Sequence, residues 1–152
     1  MFDPKTYGPE VARILELRDA GKTDEARDVL RGSELPDTVR AGLYLACGGW
    51  NEAHNLVQDI EAQDAYFWHA IVHRQEPDAA NSSYWFRRVG SHPIFPALAV
   101  QAEELGYRTG GRWDPFTFIQ YCEDAHTGSE EERIAKAVEQ AEWELLFDHC
   151  AR

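Results

Sequence analysis

His69 and His73 stand four residues apart and His92 follows closely, so half of the six histidines fall between Trp68 and Pro93. On a helix, residues four apart share a face, and two imidazoles there can ligate one divalent metal ion. Zinc asks for a third protein ligand, and Glu76 completes a stripe Tyr66-His69-His73-Glu76 at helical spacing. Two features weigh against that triad. Pro77 pushes Glu76 away from helical geometry, and Ala70 stands where the zinc-protease pattern has a glutamate directly after its first histidine. A metal at His69, His73 and Glu76 is therefore the lesser expectation. The greater one is a pair of partly exposed histidines hydrogen-bonded to neighbouring helices.

Arg74, Arg87 and Arg88 make the same window locally basic. Guanidinium forks bind carboxylates and phosphates in bidentate fashion, so a small anion or an acidic peptide end is one candidate ligand. The plainer expectation is that these arginines pair with Glu76 and Asp78 and brace a turn, which Asn81 would serve with its amide. Tyr84, Trp85, Phe86 and Val89 read as core. A complete set of catalytic parts is missing. Ser82, Ser83 and Ser91 lie in no Gly-x-Ser-x-Gly elbow, and Cys150 beside His149 is at the chain end. Gly110-Gly111 lacks the Lys-Ser or Lys-Thr of a phosphate loop. Acid–base work by His69 or His73 with Glu76 is one enzymatic option.

Trp68-His69-Ala70, His73-Arg74, Glu76, Asp78, Asn81, Tyr84-Trp85-Phe86-Arg87-Arg88, Gly90 and His92-Pro93 together resemble the core of a family of uncharacterised small bacterial and fungal proteins. The likeness extends to Glu52-Ala53-His54 and to the run from Glu142 to Asp148. It implies no activity.

The elements that position these residues are written in a faint repeat. Gly21-Lys22-Thr23-Asp24-Glu25-Ala26 aligns with Gly48-Gly49-Trp50-Asn51-Glu52-Ala53, and an apolar pair follows in each, Val29-Leu30 and Leu56-Val57. A weaker third copy keeps Ser82 and Trp85-Phe86 but loses the glycine. Such a unit is a helix, a tight turn and a second helix whose small residue admits the first; it must stack on neighbours to cover its apolar face. It resembles the tetratricopeptide-like class. The expected fold is all-α, an irregular stack of antiparallel helical hairpins closed by a C-terminal capping helix. Helices are expected near 9–20, 23–31, 36–47, 50–61, 64–75, 79–89, 93–105, 115–124 and 129–149.

Pro36, Pro93 and Pro115 suit first-turn positions, with Asp114 as a cap. Ser129-Glu130-Glu131-Glu132 matches a capping box. In the last helix Ile134, Ala137, Val138, Ala141, Leu145 and Phe147 form the apolar stripe, and Glu130, Glu131, Glu139 and Glu142 the solvated face. Sliding the histidine stripe back one repeat lands on Asp37, Arg40, Tyr44 and Cys47. Regular stacking would put Arg40 and Tyr44 beside His69 and His73, with His92 at the edge of the resulting groove. The Gly110-Gly111 stretch reads as a connection between hairpins.

Residues 1–152 read as one domain, with an apolar fraction of 43% that suits a folded globule. A net charge of −12 argues against nucleic acid, because binding to phosphate backbones needs a positive surface. No apolar run is long enough to span a bilayer, and the residues after Met1 lack a secretory pattern, so a soluble cytoplasmic protein is expected. Cys47, Cys122 and Cys150 suit reduced thiols. The leading functional reading is a non-catalytic module that binds a peptide, a protein or a small anion in a groove lined by Arg40, Tyr44, His69, His73, Arg74, Glu76, Asp78, Asn81, Arg87, Arg88 and His92. No cofactor is expected beyond the divalent metal considered above. The alternative is a metal-assisted or histidine-based enzyme centred on His69, His73 and Glu76.

Overall fold

The computed structural model describes residues 1–152 and is all-α. A 3-10 turn, Pro4–Tyr7, precedes nine helices: α1 Pro9–Asp19, α2 Thr23–Arg31, α3 Asp37–Ala46, α4 Trp50–Val57, α5 Gln63–Gln75, α6 Ala79–Val89, α7 Phe95–Glu104, α8 Pro115–Asp124 and α9 Glu130–Ala151. No helix is long and apolar enough to cross a membrane. Helix α1 packs on α2, α3 on α4 and α5 on α6, while α1, α3 and α5 lie in series.

Local features shared by the first two hairpins fit this arrangement. Gly21 and Gly48 occupy the same place in the first two units and share a φ of +77°. That left-handed conformation turns the chain between the two helices of a hairpin and is natural only for glycine. The small residues Ala26, Ala53 and Ser82 are all fully buried where the helices approach. Ser82 satisfies its hydroxyl by donating to the carbonyl of Ala70 at 2.8 Å. The third hairpin turns without the glycine, through Glu76, Pro77 and Asp78.

Helix ends follow local chemistry. Asp78, Asp114 and Ser129 cap α6, α8 and α9 with side-chain oxygens that accept backbone N–H groups, which would otherwise lack partners. Pro115 begins α8 as expected. Pro36 is instead the cap residue of α3, and Pro93 lies ahead of α7, whose first turn carries Pro96. Helix α4 stops at Val57, short of the expected 61.

The core has two parts. Phe67, Trp68, Leu43 and Leu146 belong to the larger one, and Leu98, Tyr107, Trp113 and Phe118 to the smaller one beneath α7 and α8. Helix α9 joins them, giving Val138 and Ala141 to the smaller part and Trp143, Leu146 and Phe147 to the larger. It therefore does more than cap the end of a stack: it reaches back to α3, where the Trp143 indole donates to the carbonyl of Gly42 at 2.8 Å. A Cβ on Gly42 would sit 2.7 Å from the Trp68 ring. The missing side chain is what lets α3, α5 and α9 close on one another.

Glu142 corrects the expected solvated face of α9. It is 1% exposed and faces the equally buried Arg74 across two bonds, of 2.5 and 3.1 Å. Burial works against the charge on Arg74, but the Glu142 carboxylate and then Glu139 more than offset it, so the guanidinium is held ionised. Its flat face also rests 4.9 Å above the Phe118 ring. Arg74 is thus the strut between α5 and α9.

Candidate metal centre

Helix α4 packs against α5, and at that seam His54 of α4 meets His69 and His73 of α5. Ring centroids are 4.6 Å apart for His54 and His69, 5.4 Å for His54 and His73, and 5.0 Å for His69 and His73. One nitrogen from each ring lies within 4.8 Å of the others. Trp85 of α6 covers the cluster by stacking on His69 at 3.9 Å. Arg88 holds that cover in place, resting on Trp85 and donating to the hydroxyls of Tyr66 and Tyr84.

The three rings have unspent hydrogen-bonding capacity. Nδ1 of His69 and Nδ1 of His73 are buried without a hydrogen-bond partner, although buried polar atoms in folded proteins are nearly always paired. The Glu76 carboxylate is a long contact at 3.5 Å from Nδ1 of His73, enough to orient the ring by charge. Burial, together with the positive charges that His54 and His73 can carry, pushes His69 down to about 4. Burial also lowers His73, against the opposing pull of Glu76 and Asp78. Near neutral pH both rings are therefore neutral, the form whose lone pair binds metal.

The donor set fits a transition-metal ion. Imidazole suits zinc, copper and nickel, and three histidines are a known zinc set, with nitrogens about 2.0–2.1 Å from the ion. Beside the expected His69 and His73 the structure brings a third ring, His54, while Glu76 lies 3.5 Å from Nδ1 of His73, a place from which an acidic partner can orient an imidazole. His54 was missed because it lies on α4, the second helix of its hairpin, whereas the stripe Tyr66-His69-His73-Glu76 follows α5, the first helix of the next. The one hint was Glu52-Ala53-His54 in the family resemblance.

The remaining candidates do not converge on this cluster. Arg40 bonds the Leu35 carbonyl and Asp37, and Tyr44 is buried in the core. Arg74 is consumed by Glu142 rather than by Glu76 or Asp78. Asp78 caps α6, accepting from the backbone and side-chain amides of Asn81. Arg87 is exposed and makes no ion pair, while Arg88 serves the aromatic cover. Trp85, expected as simple packing, forms that cover.

His92 lies at the other end of α5. Its Nδ1 accepts the Ile94 N–H at 3.1 Å, so the proton of its neutral ring sits on Nε2 and is directed at Asp64, 2.7 Å away. That bond, and then the nearby His149, hold the Asp64 carboxyl below its usual range. Both nitrogens of His92 are spent on Ile94 and Asp64, so this ring, unlike His69 and His73, has no free lone pair to offer a metal.

Comparison with models of known protein families, with curated proteins and with solved structures finds no match to this chain. The geometry of the site is therefore what a functional reading rests on. Thiol nucleophiles gain no support from it, since burial pushes Cys122 and Cys150 up to about 12 and an inert thiol results.

Proposed function

We propose that this protein is a metal-binding helical module that holds one divalent transition-metal ion between His54, His69 and His73. The observation that carries the reading is the contrast between two histidine clusters in one molecule. His92 uses both ring nitrogens in hydrogen bonds. His69, only 3% exposed, and His73 each leave a buried nitrogen without one. Leaving a buried group such as Nδ1 of His69 unpaired costs about 1–3 kcal/mol, while Nδ1 of His73 has only the long Glu76 contact; a bound ion would give the lone pairs of the three rings an acceptor.

Three protein nitrogens leave at least one coordination position for water or a further ligand. Glu76, beside His73, also lines a surface cavity of about 320 Å³ with Trp50 and Gln75. The reading is one of binding. It replaces the broader polar groove, because Arg40, Tyr44 and Arg74 are engaged elsewhere. Three free cysteines support a reducing cytoplasmic location for the module.

Cobalt(II) substitution tests the reading. Untagged protein titrated with cobalt should develop the intense visible absorption of a low-coordinate site, and zinc should abolish it by competition. The H54Q variant, changed at a half-exposed position, should fold and lose the signal. A spectrum no stronger than aqueous cobalt, or one unchanged in H54Q, would contradict it.

A further inference from the structure

A second site, which none of His54, His69 and His73 lines, lies at the loop between α7 and α8. The chain carries 27 acidic and 15 basic side chains, so an arginine in it has carboxylates to choose from. Arg18, Arg27, Arg31, Arg40, Arg74, Arg133 and Arg152 all take one. Arg108 and Arg112 take none, although both line one cavity of about 670 Å³. That volume is typical of small-molecule sites.

The reason is that the two carboxylates bracketing the loop are spent on its backbone. Glu103 accepts from the N–H groups of Thr109 and Gly110 at 2.6 and 3.0 Å, and from the Thr109 hydroxyl at 3.0 Å. Asp114 accepts from the N–H groups of Phe116 and Thr117 at 2.9 and 3.3 Å, and from the Thr117 hydroxyl at 3.0 Å. The loop is braced at both ends, and two guanidinium groups are left over beside the cavity. Phe95, Tyr107, Trp113 and Phe116 supply its apolar wall. Trp113 adds a second, independent sign: it is 7% exposed, and its indole N–H is buried without an acceptor.

We propose that this cavity binds a small aromatic oxyanion, an aryl carboxylate or aryl phosphate, with Arg108 and Arg112 on the anionic group and the aromatic wall against the ring. Guanidinium forks match the geometry of both head groups. A flat ring stacked on aromatic faces gains contact that inorganic phosphate cannot. Gly110 and Gly111, at φ of +66° and +88°, turn the loop between Arg108 and Arg112 in a conformation other residues adopt at a cost. Trp113, which lines the cavity, keeps a buried indole N–H without a partner.

The test is a titration of the full chain with phenyl phosphate and with benzoate, followed by NMR at the Trp113 indole N–H, which W113F assigns. One saturable site is expected, with the Trp113 and Gly110 signals moving together and neutral phenol moving neither. The tighter of the two probes identifies the head group. The double variant R108Q/R112Q should weaken binding at least about tenfold, as the loss of charge-assisted bonds requires. The charge-matched control R13Q/R87Q removes two arginines that also make no ion pair and should bind as the parent does. No saturable shift with either probe would overturn the proposal. So would undiminished binding in R108Q/R112Q, or an equal loss in the control.

Discussion

His69 lies nearly parallel to the indole of Trp85, with ring centroids 3.9 Å apart and planes at 17°. The stack seals a histidine that has no hydrogen bond for its buried Nδ1. On the proposed metal-binding reading, the feature that leaves the ring free for an ion also makes the cluster costly to fold without one.

The first expected consequence is a pH dependence of the metal-free protein. Unfolded, His69 takes up a proton near 6.5; folded, only near 4. Between those values the unfolded chain holds more protons, so stability is full above about 6.5 and falls as the pH drops towards 4. The difference is worth on the order of 3 kcal/mol, and His73 shifts in the same direction. Urea unfolding at successive pH values should show a shallower dependence in H69Q than in the parent. Equal slopes would show that His69 does not titrate this way.

Arg74 and Glu142 should behave as a coupled pair. Removing either alone leaves a buried charge unmatched, which costs about 3–5 kcal/mol. R74M and E142L should each lower the denaturation midpoint sharply, and the double variant should recover most of the loss. Additive losses would mean that the two side chains stabilise the fold independently.

Gly42 is expected to tolerate no side chain. In G42A the new methyl would meet Trp68 at 2.7 Å and Phe147 at 3.2 Å. Overpacking of this kind costs about 1–3 kcal/mol. Thermal unfolding measures it, and a melting temperature at or above that of the parent would show that α3 shifts freely against α5 and α9.

Much of the fold was legible because its signals are local. The glycines of the repeat, the caps at Asp114 and Ser129, and the apolar spacing of α9 each act within a few residues. The candidate site was legible only in part. His69 and His73 share a helix, so their pairing follows from the four-residue spacing. His54 comes from the preceding hairpin, and its approach depends on how α4 leans on α5, which no local pattern encodes. Arg74 misled for the same reason: Glu76 and Asp78 were close in sequence, while its true partner, Glu142, lies on the last helix. An acidic side chain among helical polar positions looks solvated until a buried cation is found opposite it.

The metal reading meets its most direct test in calorimetric titration of untagged, metal-free protein with zinc, alongside H54Q. One ion per chain is expected, with affinity at least about tenfold weaker in the variant, as the loss of one of three ligands implies. No saturable binding, or binding that H54Q leaves unchanged, would contradict a metal held by His54, His69 and His73.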